Sequence, residues 1–178
     1  STIGGYNFIF SSPMKIPRLA DDLDKMAQAT GKEVATYALL HLVAAETDDK
    51  AWQICNDIVE QADLAAIENM LVPAGLDTHQ DGNIQQIRSS VEQGELEGGD
   101  PEEANMAFMG IPALIGSYET VARKIDDIAS HPKVKGILFS WPEWVSGIRD
   151  FGEKIIPLLD CRKDWDVARA GGLRGGSF

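Results

Sequence analysis

The sequence predicts an α/β protein built from four successive strand–helix units on a parallel sheet. Two observations carry this. Four short apolar runs of strand length are spaced along the chain, and each is followed by a stretch whose apolar residues recur at helical spacing. Repeated strand–helix units favour right-handed crossovers and therefore parallel strands.

The first unit opens with Tyr6 to Phe10 (YNFIF), an aromatic and β-branched run closed by Ser-Ser-Pro. Ile16, Leu19, Leu23 and Met26 then mark the expected buried stripe of a helix, with Asp21, Asp22 and Asp24 on its other side and Gly31 past its end. Thr36 to Ala45 (TYALLHLVAA) is nearly continuous apolar, as in a strand covered on both faces. Thr47 or Asp48 is expected to cap the second helix, its acidic residues suit the positive end of the dipole, and Trp52, Cys55, Val59, Ala62 and Ala66 form its stripe.

Residues 71–110 interrupt the rhythm with Pro73, Gly75, Gly82, Gly94, Gly98, Gly99 and Pro101 in an acidic stretch that holds only a short helical pattern around Ile84 to Val91. So long a connection reads as an insertion near a site mouth. Pro112 to Gly116 (PALIG) is the third strand. Ser117 caps a helix striped by Val121, Ala122, Ile125 and Ile128, which His131-Pro132 stops. Gly136 to Ser140 (GILFS) is the fourth strand, followed by a Trp141-Pro142 loop and a helix striped by Val145, Ile148, Phe151, Ile155 and Ile156. Residues 164–178, charged and then glycine-rich, read as a flexible tail. Periodicity leaves two architectures open: a small doubly wound sheet and a segment of an eight-fold barrel.

Composition narrows the function. The 178 residues suit one domain, and a net charge of −12 with scattered Lys and Arg argues against nucleic acid and against an anionic membrane surface. No apolar run reaches the roughly 18 residues of a membrane span. Cys55 and Cys161 match no metal or redox spacing, and His41, His79 and His131 have no partner at ligand spacing, so no metal site is expected. The chain reads as a soluble protein of the reducing cytoplasm.

The stretch GSYETVARKIDDIASHPKVKGILFSWPEWVSGIRDFGEKIIPLL resembles the C-terminal end of the bacterial-luciferase-like flavin monooxygenases. In that family a Gly-Ser/Thr turn opens the seventh helix, a Gly-Ile-Leu strand is the eighth, and a Phe-Gly-Glu-x-Ile-x-Pro-Leu helix closes the barrel. YNFIF, VATYALLHLVAAETDDKAW and the CRKD after the last helix are similar to the pyrimidine (uracil) monooxygenase branch. The resemblance covers roughly residues 5–163. It implies half of a TIM-type (β/α)8 barrel, strands five to eight, over residues 1–163 with an insertion at 71–110. It further implies FMN, reduced flavin reacting with O2, and oxygenation of a small heterocyclic or sulfur-containing substrate. Electrons would come from a flavin reductase or free reduced flavin. In the family most flavin contacts lie in the first half of the barrel, so no residue here inherits a flavin role by motif.

Barrel sites lie at the C-terminal ends of the strands. On that basis Asn7, Phe8, His41, Ser140 and Trp141 are candidates for a substrate or flavin pocket. Gly116 and Ser117, at a helix N-terminus after the penultimate strand, are candidates for holding a phosphate. Catalytic residues are not assignable. Four parallel strands leave open edges and an apolar face, so the chain is expected to pair with a second copy or with a complementary N-terminal half. A non-catalytic oligomeric half-barrel without flavin is the alternative.

Overall fold

The computed structural model describes residues 5–63, 65–67, 69–70, 100–103 and 105–163. The helical pattern expected around Ile84 to Val91, most of the 71–110 insertion and the 164–178 tail lie outside the described residues.

Among the described residues, four strands, each followed by a helix, keep the expected order. Strand β1 spans Gly5–Ile9 and helix α1 Ile16–Ala29, with Pro17 in its first turn, where a missing N–H costs nothing. Gly31, at φ +67°, ends α1 in a Schellman motif: the Gly31 amide donates to the Gln28 carbonyl and the Lys32 amide to that of Ala27, both at 3.0 Å. Strand β2 is Val34–Ala45 and helix α2 is Asp48–Glu60, capped by the Thr47 hydroxyl, which accepts from the Lys50 amide at 3.2 Å. Strand β3 is Ala113–Ser117 and helix α3 is Tyr118–Ala129, and the Ser117 hydroxyl accepts from the Thr120 amide at 3.2 Å. Strand β4 is Val134–Ser140 and helix α4 is Trp144–Asp150, capped by the Glu143 carboxylate through the Val145 and Ser146 amides. A wide π turn, Phe151–Ile155, and short 3-10 turns follow.

All pairings are parallel, and β2 is their hub. Residues 36–38 of β2 pair with both β1 and β4, which therefore flank it on opposite sides, while β3 takes residues 41–45. In a barrel wall, consecutive strands are neighbours. Here β4 lies against β2 and not β3, so the wall of strands five to eight is not formed in that order. Because His41 pairs with both Ala113 and Ser140, β1 and β3 share one edge of β2 and β4 runs along the other.

Strand parity sorts the side chains into two cores. On one face Ile9, Ala38, Leu40, Leu42 and Leu114 pack with Ile16 and Ala20 of α1, with Val121, Ile125 and Ile128 of α3, and with Ile155. On the other, Val43, Ala45, Ala113 and Ile115 pack with Ala51 and Cys55 of α2 and with Phe108. Helices thus cover both faces, in the manner of a doubly wound sheet, but α2 reaches only the upper part of its face. Below it Phe8 (49% exposed) and Leu138 (51%) stay open to solvent beside the half-buried Tyr37 and Leu39.

Two expected stripes are re-aimed. In α1 the buried line is Ile16, Ala20 and Ala27 with Leu23 against it, while Leu19 and Met26 face outward, because the 3.6-residue period puts 16, 20, 23 and 27 on one face. In α4, Val145 (67% exposed) and Ile148 (51%) are solvent-facing; beyond it Phe151 packs partly buried against the core, Ile155 is buried and Ile156 is exposed. The π turn inserts an extra residue at Phe151–Ile155 and rotates the chain, so the two halves of that stripe do not share a face.

Candidate functional site

His41 and Ser140 are direct partners in the β2–β4 register, so their side chains stand on the same face at the upper end of the sheet. Ser140 Oγ lies 2.5 Å from His41 Nδ1. The imidazole is half buried, with its ring centroid 5.4 Å from that of Phe108. Burial holds its pKa below the ordinary histidine value, opposed in part by the main chain of Phe108, so the ring is neutral near pH 7. Nε2 is buried and makes no hydrogen bond of good geometry.

Phe8 shares this face. It pairs with Tyr37 in register, the two rings 5.6 Å apart. It sits four residues down β2 from the level of His41, roughly 13 Å along a strand. Leu39, paired with Leu138, fills the interval. Gly136 keeps the floor flat: a Cβ there would stand 2.8 Å from the Tyr37 ring. Phe8, Tyr37, Leu39 and Leu138 therefore form an open apolar strip that ends at the polar Ser140–His41 pair and is stopped above by Phe108 and α2.

The other two pocket candidates lie elsewhere. Asn7 pairs with Thr36 on the opposite face, on the side of α1. Trp141 also packs on that side, in an aromatic cluster with Phe139, Trp144 and Phe151 at centroid distances of 5.3–6.3 Å. Gly147 lies flat against its indole, where a Cβ would come within 2.5 Å. The cavity Trp141 borders with Leu42, Ala44, Glu143 and Asp150 has a volume of about 190 Å³. That is below the roughly 300–1,000 Å³ of ordinary cofactor and ligand sites.

The phosphate candidates meet an anion of the chain's own. The Ser117 amide donates to Asp48 Oδ1 at 2.6 Å and the Thr120 hydroxyl to Oδ2 at 3.3 Å. These bonds hold the Asp48 pKa below its ordinary value, so a full negative charge sits at the N-terminus of α3. Gly116, at φ +154°, is required here because a Cβ would stand 2.7 Å from Thr120 Cγ2 and 3.1 Å from the same carboxylate. A phosphate at Gly116 and Ser117 would have to displace Asp48. The sequence signal for this was present, since an acidic residue opens α2, but only the register that brings β3 onto residues 41–45 puts the two helix starts together.

These placements bear on a flavin. The open strip suits one side of a flat ring, yet among the described residues the helix start expected to take a phosphate is already held by a carboxylate. Among the described residues Gly116 and Ser117 are therefore not a free phosphate site. Among the described residues no three His, Cys, Asp or Glu side chains are grouped to hold a metal ion, and no helix is long and apolar enough to cross a membrane.

No protein-family model matches the chain. It is 38% identical over 168 residues to the pyrimidine monooxygenase RutA of Acinetobacter baylyi, covering 89% of this chain and 41% of that protein. It is 34% identical over 165 residues to that of Yersinia enterocolitica, covering 89% and 41%. Among solved structures it superposes on EDTA monooxygenase (EmoA) from Chelativorans sp. BNC1 with a TM-score of 0.62 at 16% identity, covering 93% of this chain and 41% of that one. On the long-chain alkane monooxygenase LadA the TM-score is 0.61 at 15% identity, covering 91% and 38%. At such identities the superpositions show the fold alone. The chain spans about two fifths of the length of the curated relatives it matches, which fits the C-terminal-half reading. It is a sequence relative of the pyrimidine monooxygenases, with the parallel α/β fold of the luciferase-like flavin monooxygenases.

Proposed function

We propose that this chain is the C-terminal part of an FMN-dependent monooxygenase that oxygenates a small heterocyclic or sulfur-containing substrate. Reduced flavin would come from a flavin reductase or from free solution. The observation that carries the reading is the open apolar strip from Phe8 to Leu138, ending at the neutral His41–Ser140 pair, where Ser140 is the last residue of β4. Bound flavin supplies the oxygen-transfer chemistry. The part of this chain is to form one wall, exclude water from it, and present a hydroxyl and an imidazole at its end.

The wall needs a second side. Phe8 and Leu138 on the sheet, with Trp144, Val145 and Ile148 on α4, leave apolar surface exposed on two elements. A complementary N-terminal half, supplying strands one to four, is the occupant that also brings a phosphate anchor. The two free thiols, one buried and one exposed, suit a reducing cytoplasm.

The test is co-expression with the N-terminal three fifths of the Acinetobacter baylyi relative. A yellow complex that oxidises reduced FMN faster with a pyrimidine present is expected. A colourless chain that recruits neither the complementary half nor FMN contradicts the reading. That outcome favours the second one, a non-catalytic oligomeric half-barrel, for which the occupation of the α3 N-terminus by Asp48 is the supporting observation.

A further inference from the structure

A second cavity, of about 310 Å³, opens on the α1–α3 side of the sheet, and none of the strip's residues lines it. Its volume falls within the range of ordinary small-molecule sites. Pro13, Met14, Pro17 and Ile128 give it apolar surface, while Asp100, Glu102, Glu103 and Asp127 bring carboxylates. Two of the four are answered. Lys124 pairs with Glu102 while donating to the Ile115 carbonyl at 3.0 Å, and Lys15 pairs with Glu103. Asp100 spends one oxygen on the Glu102 amide at 2.9 Å, a neutral donor. Among the described residues neither Asp100 nor Asp127 has an ion-pair partner. Four carboxylates against two ammonium groups leave two negative charges on the wall.

Acidic surface alone is ordinary on a chain of net charge −12. What sets this cavity apart is Ser12 in its lining, which is only 3% exposed and whose Oγ makes no hydrogen bond of good geometry. A serine just ahead of a helix usually gives its hydroxyl to a free amide of the first turn. Here the Ser12 carbonyl takes the Lys15 amide at 2.9 Å and the Ile16 amide at 3.3 Å instead, and α1 has no side-chain cap. The Glu103 carboxylate beside the hydroxyl is already held by Lys15. A buried hydroxyl left without a partner is costly, and a bound donor relieves it. We propose that this cavity binds a small organic cation, a primary ammonium on a short apolar body. The ammonium is all donor, and it meets the Asp100 and Asp127 carboxylates and the Ser12 oxygen while the body lies against Met14, Pro17 and Ile128. An anion is repelled by the same wall. A metal ion fits it poorly, since among the described residues no three His, Cys, Asp or Glu side chains are grouped to hold one. The inference goes beyond the oxygenase reading and does not depend on it.

The experiment uses the chain itself and needs no flavin. In proton–nitrogen NMR titrations at pH 7, 2-phenylethylamine is expected to shift the amides of Ser12, Lys124, Asp127 and Ile128 saturably. Its neutral isostere 2-phenylethanol is expected to bind roughly tenfold more weakly, the scale of a charge-assisted hydrogen bond in a partly open site, and 3-phenylpropionate to leave these amides unmoved. Asp127→Asn, on the exposed side of α3, is expected to weaken the amine roughly tenfold, and Ser12→Ala roughly threefold. Asp57→Asn on α2, which removes the same charge away from the cavity, is expected to leave its affinity unchanged. Amine binding no tighter than that of the alcohol, binding indifferent to Asp127→Asn and Ser12→Ala, or an equal loss from Asp57→Asn overturns the proposal, whatever the outcome with FMN.

Discussion

At Asp48 one carboxylate serves two helices. It lies in the first turn of α2, where it suits the positive dipole end, and it accepts from the Ser117 amide and the Thr120 hydroxyl at the start of α3. Asp48→Ala is expected to lower the urea midpoint, and Asp48→Asn to lower it less. The sign with pH follows from the depressed pKa. The stabilisation is complete above the unfolded value of about 3.9 and is lost as pH falls through the lower folded value. The gap between wild type and Asp48→Ala should therefore close below about pH 4, and a gap that is constant with pH would contradict the clasp. Gly116→Ala places a Cβ 2.7 Å from Thr120 at a φ of +154°, and is expected to cost about 1–3 kcal/mol by urea unfolding. The two thiols make a third residue-scale expectation. Desolvation raises both to about 11, with the neighbouring Asp126 carboxylate adding to it at Cys161, so both alkylate slowly at pH 8, with exposed Cys161 ahead of buried Cys55. Mass spectrometry of an iodoacetamide time course reads the order.

Among the elements, α3 was fully legible: Ser117 caps it and Val121, Ala122, Ile125 and Ile128 are all buried, as their spacing predicts. Helices α1 and α4 show why spacing was insufficient elsewhere. In α1 the large residues Leu19 and Met26 drew attention from Ala20 and Ala27, which lie on the inner line because a small side chain lets the helix approach the sheet. In α4 no feature of the sequence announces the π turn that separates Val145 and Ile148 from Ile155. The consequence is testable. Ile155→Ala is expected to cost about 2–5 kcal/mol in urea unfolding, as for a buried side chain cut back in a packed core. Ile148→Asp, on the exposed half, is expected to stay within about 0.5 kcal/mol for the isolated chain while weakening its association. Equal losses for the two would mean that α4 buries one continuous stripe. The candidate site was legible by strand but not by face. Phe8, His41 and Ser140 share one face and Asn7 and Trp141 the other, a division set by the register of β1 and β4 on β2.

Across the described residues the governing fact is incomplete cover. Helices α1 and α3 close one face of the sheet and α2 closes the upper part of the other, while the strip from Phe8 to Leu138 and, separately, Val145 and Ile148 of α4 remain exposed. The repeated strand–helix pattern was enough to foresee a parallel sheet. It was not enough to foresee that β4 would lie against β2, because pairing depends on which edges are available and not on the order of the units. An open apolar face on a parallel sheet is uncommon, because such sheets are ordinarily covered on both sides. Sedimentation velocity of the purified chain at micromolar concentration tests this most directly. The open strip predicts a dimer or larger assembly, and a well-folded monomer persisting at that concentration would contradict it.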